Sequence, residues 1–488
     1  MSAVTVPSLA LHAPHATTVR PEPFDPSAHS YEKVLHAQLH PVVAYFMRMS
    51  QDALVARYCH LNPAVSPAAM HNLLSSTCTH LRWAGADLLH ATDISGRRRM
   101  VVLETNSCPS GNKSMPLLDD FDELGGYGRL LRGVFLPTLR RRRLPAGRLA
   151  VLWDKNLPEA SGYAAAMASL TGEDVLLTPF PDVENPQAAR FVDGLLEVRD
   201  EGDEWQPIRA ALRYVTQRPW DRIPVGTRTV LLNPVIACLA GGRNKLLAAK
   251  AYSLQEASLR GTGLSLRTPR TARDLRLEEV PMQVERLGGH AVVKVPYSNA
   301  GQGVFTITSA AELDAFMDTE HRYDRFVVQG LIGNSAWSSD DLEGRMFHVG
   351  TLPDRRGHIF AADLRVMVMS TPEGFKPVSI YARRAAAPLT ETLTPESDSW
   401  AMLGTNLSVK GGEGSWSAET SRLLMMDTRD FTRLGVGIDS LIEAYVQAVL
   451  ATLAIDSMAT RLLSTKGGLR RKLFRSLNDD AVLMGELC

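Results

Sequence analysis

The feature that most constrains the fold is a carboxylate and an amide two residues apart at the end of an apolar run. Glu104 and Asn106 follow residues 100–103 (Met-Val-Val-Leu), a run typical of a buried strand. Side chains two apart on an extended backbone point to the same face. Asp87 lies on the opposite arm of a hairpin whose predicted turn is 93–96. Antiparallel pairing can therefore bring three oxygen ligands together, a set that suits Mg²⁺.

A second signal, far along the chain, combines a lysine with a glycine-bearing loop. Residues 292–296 read Val-Val-Lys-Val-Pro, with Lys294 at the centre, and predict a strand. The loop that follows reads Ser298-Asn299-Ala300-Gly301-Gln302-Gly303 and predicts a flexible cover for phosphate groups. A lone Gly-x-Gly is more often a simple turn, so the loop gains weight only from the order of the motifs around it.

Length and charge limit the class of protein. A chain of 488 residues exceeds what one hydrophobic core normally supports, so we expect several domains. The 53 basic and 53 acidic residues cancel and leave no net charge to attract nucleic acid or an anionic membrane. We therefore expect small-molecule substrates, no nucleic-acid partner and no membrane association. A homodimer is compatible with the sequence.

Cysteine usage and hydropathy indicate the compartment. The five cysteines are scattered and form no Cys-x-x-Cys pair, which argues against a disulfide framework or a zinc site. No apolar window is predicted to approach the roughly 20 residues that a membrane span requires. These observations favour a cytoplasmic protein.

The pattern of the chain predicts five regions. They are a flexible leader (1–28), a helical region with the metal-binding segment (29–147), a layered α/β domain (148–245), a nucleotide-binding region (246–412) and a helical C-terminal region (413–488). Within them, helices are predicted at 71–83, 163–170 and 438–455, and strands at 148–154, 175–177, 229–232, 291–295, 326–328 and 364–369. The alternation of strand and helix after 148 is typical of a layered α/β unit.

Several motifs follow one another along the second half of the chain. They are 293–296 with its 301–303 loop, 327–332 (Val-Val-Gln-Gly-Leu-Ile), 363–365 (Asp-Leu-Arg), 382–385 (Ala-Arg-Arg-Ala), and 404–408 (Gly-Thr-Asn-Leu-Ser) with Gly411-Gly412. Together with 84–89 (Ala-Gly-Ala-Asp-Leu-Leu) and 104–111 (Glu-Thr-Asn-Ser-Cys-Pro-Ser-Gly), they resemble the landmarks of ATP-grasp carboxylate-amine ligases. The similarity is greatest to the glutamate-ligase-like branch.

In that family the Gly-x-Asp-Leu-Leu hairpin and the Glu-x-Asn motif close the fold, whereas here they precede the nucleotide-binding motifs. The resemblance thus implies a circularly permuted ATP-grasp fold of the α/β (α+β) class, an arrangement also known in eukaryotic glutathione synthetase. In such a fold two α+β subdomains enclose ATP. A preceding α/β domain, similar in position to residues 148–235, and helical termini complete the expected architecture.

The resemblance also implies an activity, in which ATP and Mg²⁺ drive an amide or peptide bond between a carboxylate and an amine through an acylphosphate. The implied metal ligands are Asp87, Glu104 and Asn106. The implied catalytic residues are Arg365, Arg383 and Asn406. The implied nucleotide contacts are Lys245, Lys294, Ser298, Asn299, Gly301, Gln302 and Gly303 at the phosphates, and Gln329, Gly330, Leu331 and Ile332 at the adenine, through main-chain edges.

Some alternatives remain open. The hairpin is longer than is usual in this branch, so Asp93 could replace Asp87 as a ligand, and Arg384 could replace Arg383 at the phosphates. The glycine loop lacks the acid found in the eukaryotic glutathione synthetase type, so glutathione synthesis is not implied. A small-molecule phosphotransferase and a non-catalytic ATP-binding module are the alternative functions. A dehydrogenase ranks last, because 301–303 lacks the third glycine of the dinucleotide fingerprint.

Overall fold

The computed structural model describes residues 13–141, 143–181, 188–215, 220, 222–298, 303–340, 344–394, 396–410 and 416–487. Its strands are β1 (Thr17–Val19), β2 (Trp83–Thr92), β3 (Arg98–Asn106), β4 (Arg148–Trp153), β5 (Val175–Pro179), β6 (Ala189–Val192), β7 (Leu195–Arg199), β8 (Trp205–Tyr214), β9 (Val230–Leu232), β10 (Thr271–Leu275), β11 (Ala291–Lys294), β12 (Val304–Ile307), β13 (Phe326–Gly330), β14 (Phe347–His348), β15 (Ala362–Thr371), β16 (Gly374–Arg384), β17 (Ser408–Lys410), β18 (Trp416–Ala418) and β19 (Leu423–Leu424).

The α-helices are α1 (Pro26–His29), α2 (Glu32–Leu35), α3 (Pro41–Arg48), α4 (Gln51–Leu61), α5 (Pro67–Ser75), α6 (Gly125–Leu130), α7 (Leu136–Arg141), α8 (Leu157–Thr171), α9 (Val235–Ala237), α10 (Lys245–Ser258), α11 (Val280–Arg286), α12 (Ala310–Met317), α13 (Ser399–Leu403), α14 (Thr428–Leu434), α15 (Ile438–Leu462), α16 (Arg471–Leu477) and α17 (Ala481–Glu486). Short 3₁₀ turns lie at Asn112–Ser114, Leu277–Glu279 and Thr420–Arg422, and π-helical turns at Leu131–Phe135 and Cys238–Gly242.

The first sheet, here the α/β sheet, has the order β1-β5-β4-β8-β7-β6, with β9 beside β8. Strands β5, β4, β8 and β9 run parallel, and α8 connects β4 to β5. Helix α8 buries Ala160, Ala164 and Met167 in the core beneath this sheet, which fixes the crossover. The strands predicted at 148–154, 175–177 and 229–232 are confirmed, and the predicted helix at 163–170 forms the second half of α8.

The N-terminal region differs from the prediction. Strand β1 pairs antiparallel with β5, from Thr17 opposite Leu177 to Val19 opposite Val175. Ala16 and Phe24 on either side of it are buried. The prediction of a flexible leader over 1–28 is therefore wrong for residues 13–28, because β1 covers the edge of β5 and satisfies backbone groups that would otherwise be unpaired.

Two antiparallel sheets form the rest of the central architecture. The lysine sheet has the order β10-β13-β11-β12 and carries Lys294 at the end of β11. The carboxylate sheet has the order β14-β2-β15-β16-β19, with β3 beside β2. The hairpin β2–β3 thus pairs with β15, a strand that comes far later in the chain. The strands predicted at 100–103, 291–295, 326–328 and 364–369 are confirmed, although β3, β13 and β15 extend two or three residues beyond the predicted ends.

Helix α15 is the central helix of the largest hydrophobic core and packs on β3, β15 and α10. Among the described residues it is the one helix long and apolar enough to cross a membrane, with a mean hydropathy of 1.5 over its best window, 72% of which is buried inside the protein. The expectation that no such window exists is therefore wrong. A helix that is buried on every side in a protein core has the same apolar composition as a membrane-spanning helix.

Helix α5 ends at Ser75, so the helix predicted over 71–83 is wrong beyond that point. The carboxylate of Asp456 on α15 accepts hydrogen bonds from the backbone N–H groups of residues 79, 80 and 81. The hydroxyl of Ser370 accepts another from Cys78 N–H. These tertiary bonds replace the helical ones and lead the chain directly into β2.

Candidate active site

A row of polar side chains crosses four adjacent strands of the carboxylate sheet. Glu104 lies opposite Asp87, and Asp87 lies opposite Arg365. Arg365 in turn lies opposite Tyr381. Directly opposed residues project to the same face of a sheet. A bulge sets this register, because Leu88 pairs with Val102 while Asp87 pairs with Glu104, and the extra residue turns Glu104 toward the face of Asp87.

The centre of the row is a buried ion-pair network. Arg365 donates two hydrogen bonds of 2.6 Å to the two carboxylate oxygens of Asp87. Arg383 lies 3.1 Å from the same carboxylate and also binds Asp363 through Nε at 3.0 Å. Burial alone would raise the pKa of Asp87, but the charges of Arg365 and Arg383 outweigh burial and hold that pKa well below its usual range. Asp87 is therefore ionised in the folded protein at neutral pH.

The sequence left two alternatives open, Arg383 or Arg384 at the phosphates and Asp87 or Asp93 as a metal ligand. Arg383 faces the Asp87 network, whereas the guanidinium of Arg384 lies 4.5 Å from the ring centroid of Phe360. Asp93 lies in the exposed hairpin turn, where it accepts hydrogen bonds from Ser95 and pairs with Arg99 at 3.5 Å. The structure therefore brings Asp87 and Arg383, rather than Asp93 and Arg384, to the row.

Glu104 lies between the two sheets. The ammonium group of Lys245 is 3.9 Å from its carboxylate. Lys294 donates a hydrogen bond of 3.5 Å to the carbonyl of the bulged residue Leu103, immediately before Glu104. Burial lowers the pKa of Lys294 to about 8, against the opposing charge of Glu104, and burial also lowers the pKa of Lys245. Two desolvated ammonium groups thus share one carboxylate, an arrangement that favours an additional anion.

Asn106 is the third of the proposed metal ligands. It contacts Arg243, a residue that the sequence did not single out. The Asn106 amide donates to Glu104 at 3.3 Å, and its oxygen accepts a 2.8 Å bond from Arg243. Arg243 precedes α10, whose first turn carries Lys245 and whose N-cap is Asn244. The local signal was the run Gly241-Gly242-Arg243-Asn244-Lys245, where glycines and a capping residue lead into a lysine-bearing helix.

The donor atoms fit a hard cation. Within the described residues no three His, Cys, Asp or Glu side chains converge, so a cation here would take the opposed Asp87 and Glu104 carboxylates and the Asn106 amide oxygen, with its other positions left to water or phosphate. Glu104 is the most accessible of these, with 33% of its side chain exposed. Asp87 already accepts from two arginines, and Asn106 from Arg243, so binding a cation requires these bonds to be shared or exchanged.

The phosphate-covering loop is only partly described. Lys245 donates to the Ser298 carbonyl at 2.8 Å, which joins the start of the loop to α10. Gly303 has φ of 67° at the far end of the loop, and a Cβ there would come within 2.8 Å of the Val295 side chain, so the position favours glycine. Asn299, Gly301 and Gln302 lie outside the described residues.

Residues 329–331, which are predicted to contact adenine, already form hydrogen bonds within the protein. Leu331 donates its N–H to the Ser339 hydroxyl at 2.6 Å and accepts from Ser339 N–H at 2.9 Å. Gly330 N–H bonds the carbonyl of Arg270, and the side chain of Gln329 donates to Thr271. Ile332 packs in an apolar cluster with Leu89, Ala91 and Val101 of the β2–β3 hairpin. Ile332, two residues after β13, thus packs against the carboxylate sheet.

Asn406 lies in the segment between α13 and β17. Its carbonyl accepts from Arg422, which also binds the carbonyl of Arg384. These contacts place the Asn406 backbone near Arg384, at the end of the strand that carries Arg383.

These features define the fold class. A lysine sheet and a carboxylate sheet meet at Lys294 and Glu104, beside an α/β unit. The predicted mixed α/β (α+β) class is confirmed, and the arrangement of the two sheets is consistent with the predicted ATP-grasp fold.

Comparison with known proteins finds solved structures that are similar to parts of this chain. The chain is similar to a RimK domain ATP-grasp protein from Sphaerobacter thermophilus (13% identity, 61% of this chain and 99% of that one, TM-score 0.29). It is also similar to a glutathione synthetase-like effector from Globodera pallida (10%, 75% and 87%, TM-score 0.37). A third is N5-carboxyaminoimidazole synthetase from Staphylococcus aureus complexed with ADP (9%, 51% and 72%, TM-score 0.23). No protein-family model and no curated protein matches the chain.

Proposed function

We propose that the protein is an ATP-dependent carboxylate-amine ligase, which forms an amide or peptide bond through an acylphosphate and releases ADP and phosphate. The observation that carries the proposal is the convergence of Lys245, Lys294 and the Arg365–Arg383 pair on Asp87 and Glu104. The chain brings these groups together from separate segments, and they match the requirements of phosphoryl transfer from ATP.

The chemistry explains why such residues are needed. A carboxylate is a poor acyl donor because oxide would have to leave, whereas an acylphosphate releases phosphate readily. Lys245 and Lys294 would hold the transferring phosphoryl group as point charges between the two sheets. Bound Mg²⁺ would neutralise phosphate oxygens, and Asp87, Glu104 and Asn106 would be its protein ligands.

Arg365 has a different role in the proposal. Its guanidinium is fixed by Asp87 on one side and lies 5.9 Å from the Tyr381 ring centroid on the other. A planar cation held in this way can orient a carboxylate or an acylphosphate by paired hydrogen bonds. Arg383 would stabilise the same negative charge from the neighbouring strand, with Asn406 supporting the strand end.

A small-molecule phosphotransferase would use the same phosphate contacts, and a non-catalytic module would keep nucleotide binding alone. The full set of Asp87, Glu104 and Asn106 on one face favours catalysis over binding alone. We further propose small-molecule carboxylate and amine substrates, no nucleic-acid or membrane partner, and a cytoplasmic location.

The test is a screen of paired carboxylate and amine pools with ATP and Mg²⁺, read by phosphate release and by mass spectrometry of products. A ligase yields ADP, phosphate and a product whose mass equals acid plus amine minus water. A stable phosphorylated product would establish the phosphotransferase instead. ATP binding with no turnover of any pool would favour the non-catalytic module.

A further inference from the structure

A second polar cluster lies at the end of β4, where the α/β unit meets the carboxylate sheet. Lys155 and Asn156 follow β4 directly, and Tyr214 ends the adjacent parallel strand β8. From β4 the chain continues to β5 on one side, whereas from β8 it continues to β9 on the other side. The two connections therefore leave this end of the sheet in opposite directions. Such an edge of a parallel sheet is a common ligand-binding position.

Asn156 is held in a strained conformation that fixes its amide. Its φ is 54°, a left-handed value that costs energy in a residue other than glycine. The amide nitrogen donates to Ser110 at 2.8 Å and to the Tyr214 hydroxyl at 3.2 Å. The amide oxygen accepts from the buried ammonium group of Lys113. The surroundings therefore determine the orientation of Asn156 before any ligand binds.

Lys155 lies beside this amide, and the two acidic groups whose charge acts on it, Cys108 and Asp154, each also contact an arginine. Its ammonium group lies over the Tyr214 ring, whose centroid is 6.0 Å away. The preceding Asp154 is paired with Arg222 at 3.2 Å, and Glu159 accepts from the backbone of Gly111. Burial lowers the pKa of Lys155 to about 8, and the positive charges of Arg243 and Arg365, which also lower it, act against Cys108 and Asp154, which raise it. A cation so placed gains from a bound anion.

The cluster is continuous with Arg365. The Ser110 carbonyl accepts a 3.1 Å bond from the Tyr381 hydroxyl, and Tyr381 lies opposite Arg365. The Ser110 side chain also accepts from Asn156. A ligand lying along this path would have one end at Arg365 and the other at Lys155. Asp87 already pairs with Arg365, whereas no carboxylate of the described residues lies within ion-pair distance of Lys155.

We propose that the acid substrate carries a second anionic group, a carboxylate bound by Lys155, while its reacting carboxylate lies at Arg365. This assignment rests on the proposed ligase function, which supplies the reacting end. Arg365 would select any carboxylate, whereas Lys155 would select dicarboxylates over monocarboxylates of equal length. Lys155 is thus a specificity-determining residue.

The test uses the full chain with Mg²⁺ and a non-hydrolysable ATP analogue. Isothermal titration calorimetry compares succinate, glutarate and adipate with pentanoate as the monocarboxylate probe. We expect at least one dicarboxylate to bind roughly tenfold tighter than pentanoate, and Lys155→Met to remove that preference. Lys155→Arg should retain part of it, and Lys376→Met, at an exposed lysine, should retain all of it.

Circular dichroism and the melting temperature show whether each variant folds, and Lys155→Gln replaces Lys155→Met if that variant does not. The inference is overturned if no dicarboxylate binds the parent protein more tightly than pentanoate, or if both Lys155→Met and Lys155→Gln keep the preference. Failure of the ligase proposal has a different signature, because the parent protein would then fail to bind the ATP analogue or would turn over no acid and amine pair.

Discussion

Arg365 holds the carboxylate of Asp87 by two 2.6 Å hydrogen bonds across adjacent strands, and so joins an early hairpin to a late strand. Both side chains are nearly inaccessible, with exposures of 11% and 5%. Removing one partner of a buried pair leaves the other as an uncompensated charge. We therefore expect Arg365→Met to lower the free energy of unfolding by about 3–5 kcal/mol, measured by urea denaturation.

A surface pair provides the control for this prediction. Arg57 binds both oxygens of Asp439 at 2.7 and 2.9 Å, but both side chains are exposed. Arg57→Met should cause a much smaller loss, because water screens the pair. The double variant Asp87→Leu/Arg365→Met should recover part of the stability lost in Arg365→Met. Equal losses for Arg365→Met and Arg57→Met would contradict the account.

Glu104→Gln tests the metal segment. The substitution keeps the size of the side chain but removes the most accessible charged oxygen of the proposed site. Losing a direct ligand should reduce Mg²⁺-dependent ATP turnover by at least about a hundredfold. Asp93→Asn is the matched control, since Asp93 lies in the exposed turn, and it should stay within about threefold of the parent. If Glu104→Gln also stays within threefold, the metal assignment is wrong.

Lys294→Ala tests the nucleotide contact. Lys294 is buried and lies at the junction of the two sheets, whereas Lys376 is an exposed lysine 4.0 Å from Glu373. We expect Lys294→Ala to weaken binding of a non-hydrolysable ATP analogue by roughly tenfold or more, and Lys376→Ala to leave it unchanged. Fluorescence or calorimetric titration measures both. Unchanged affinity in the first variant would mean that Lys294 does not contact the nucleotide.

Two buried histidines should make stability depend on pH. Burial lowers the pKa of His90 and of His348 to about 4, and their mutual proximity adds to the effect for His348. The unfolded chain binds a proton near pH 6.5 and the folded chain only near 4, so stability is lost as the pH falls from 6.5 toward 4. Each imidazole should lower the free energy of unfolding by about 1–2 kcal/mol at pH 5 relative to pH 7.

Urea titrations of the parent and of His348→Phe at pH 7 and pH 5 measure this dependence. The variant should lose less stability between the two pH values than the parent does, because one protonation of the unfolded state has been removed. An identical pH dependence in the two proteins would show that His348 ionises normally in the folded state.

The hairpin and its oxygen ligands were predictable because local patterns encode them. The turn at 93–96 and the apolar run before Glu104 give two paired arms. The exact register was not predictable, since it depends on the bulge at Leu103, which places Glu104 opposite Asp87. No local pattern distinguishes that register from its one-residue neighbour, which would turn Glu104 to the other face.

Other features depended on contacts between distant segments. The end of α5 follows from the bonds that Asp456 accepts, and β1 exists because β5 offers an open edge. The positions of Arg243 and Lys155 near the site likewise follow from the packing of the α/β unit on the carboxylate sheet. Single-sequence patterns carry little information about such long-range partners.

The most direct test of the central claim is the fate of carboxylate oxygen. Acids whose carboxyl oxygens are exchanged with ¹⁸O are incubated with ATP, Mg²⁺, amines and the parent protein, and the released phosphate is analysed by mass spectrometry. An acylphosphate route transfers one ¹⁸O from the acid to each phosphate released, and Glu104→Gln should suppress that signal. Phosphate without ¹⁸O, ¹⁸O in AMP, or no acid-dependent phosphate from any pool would contradict the account.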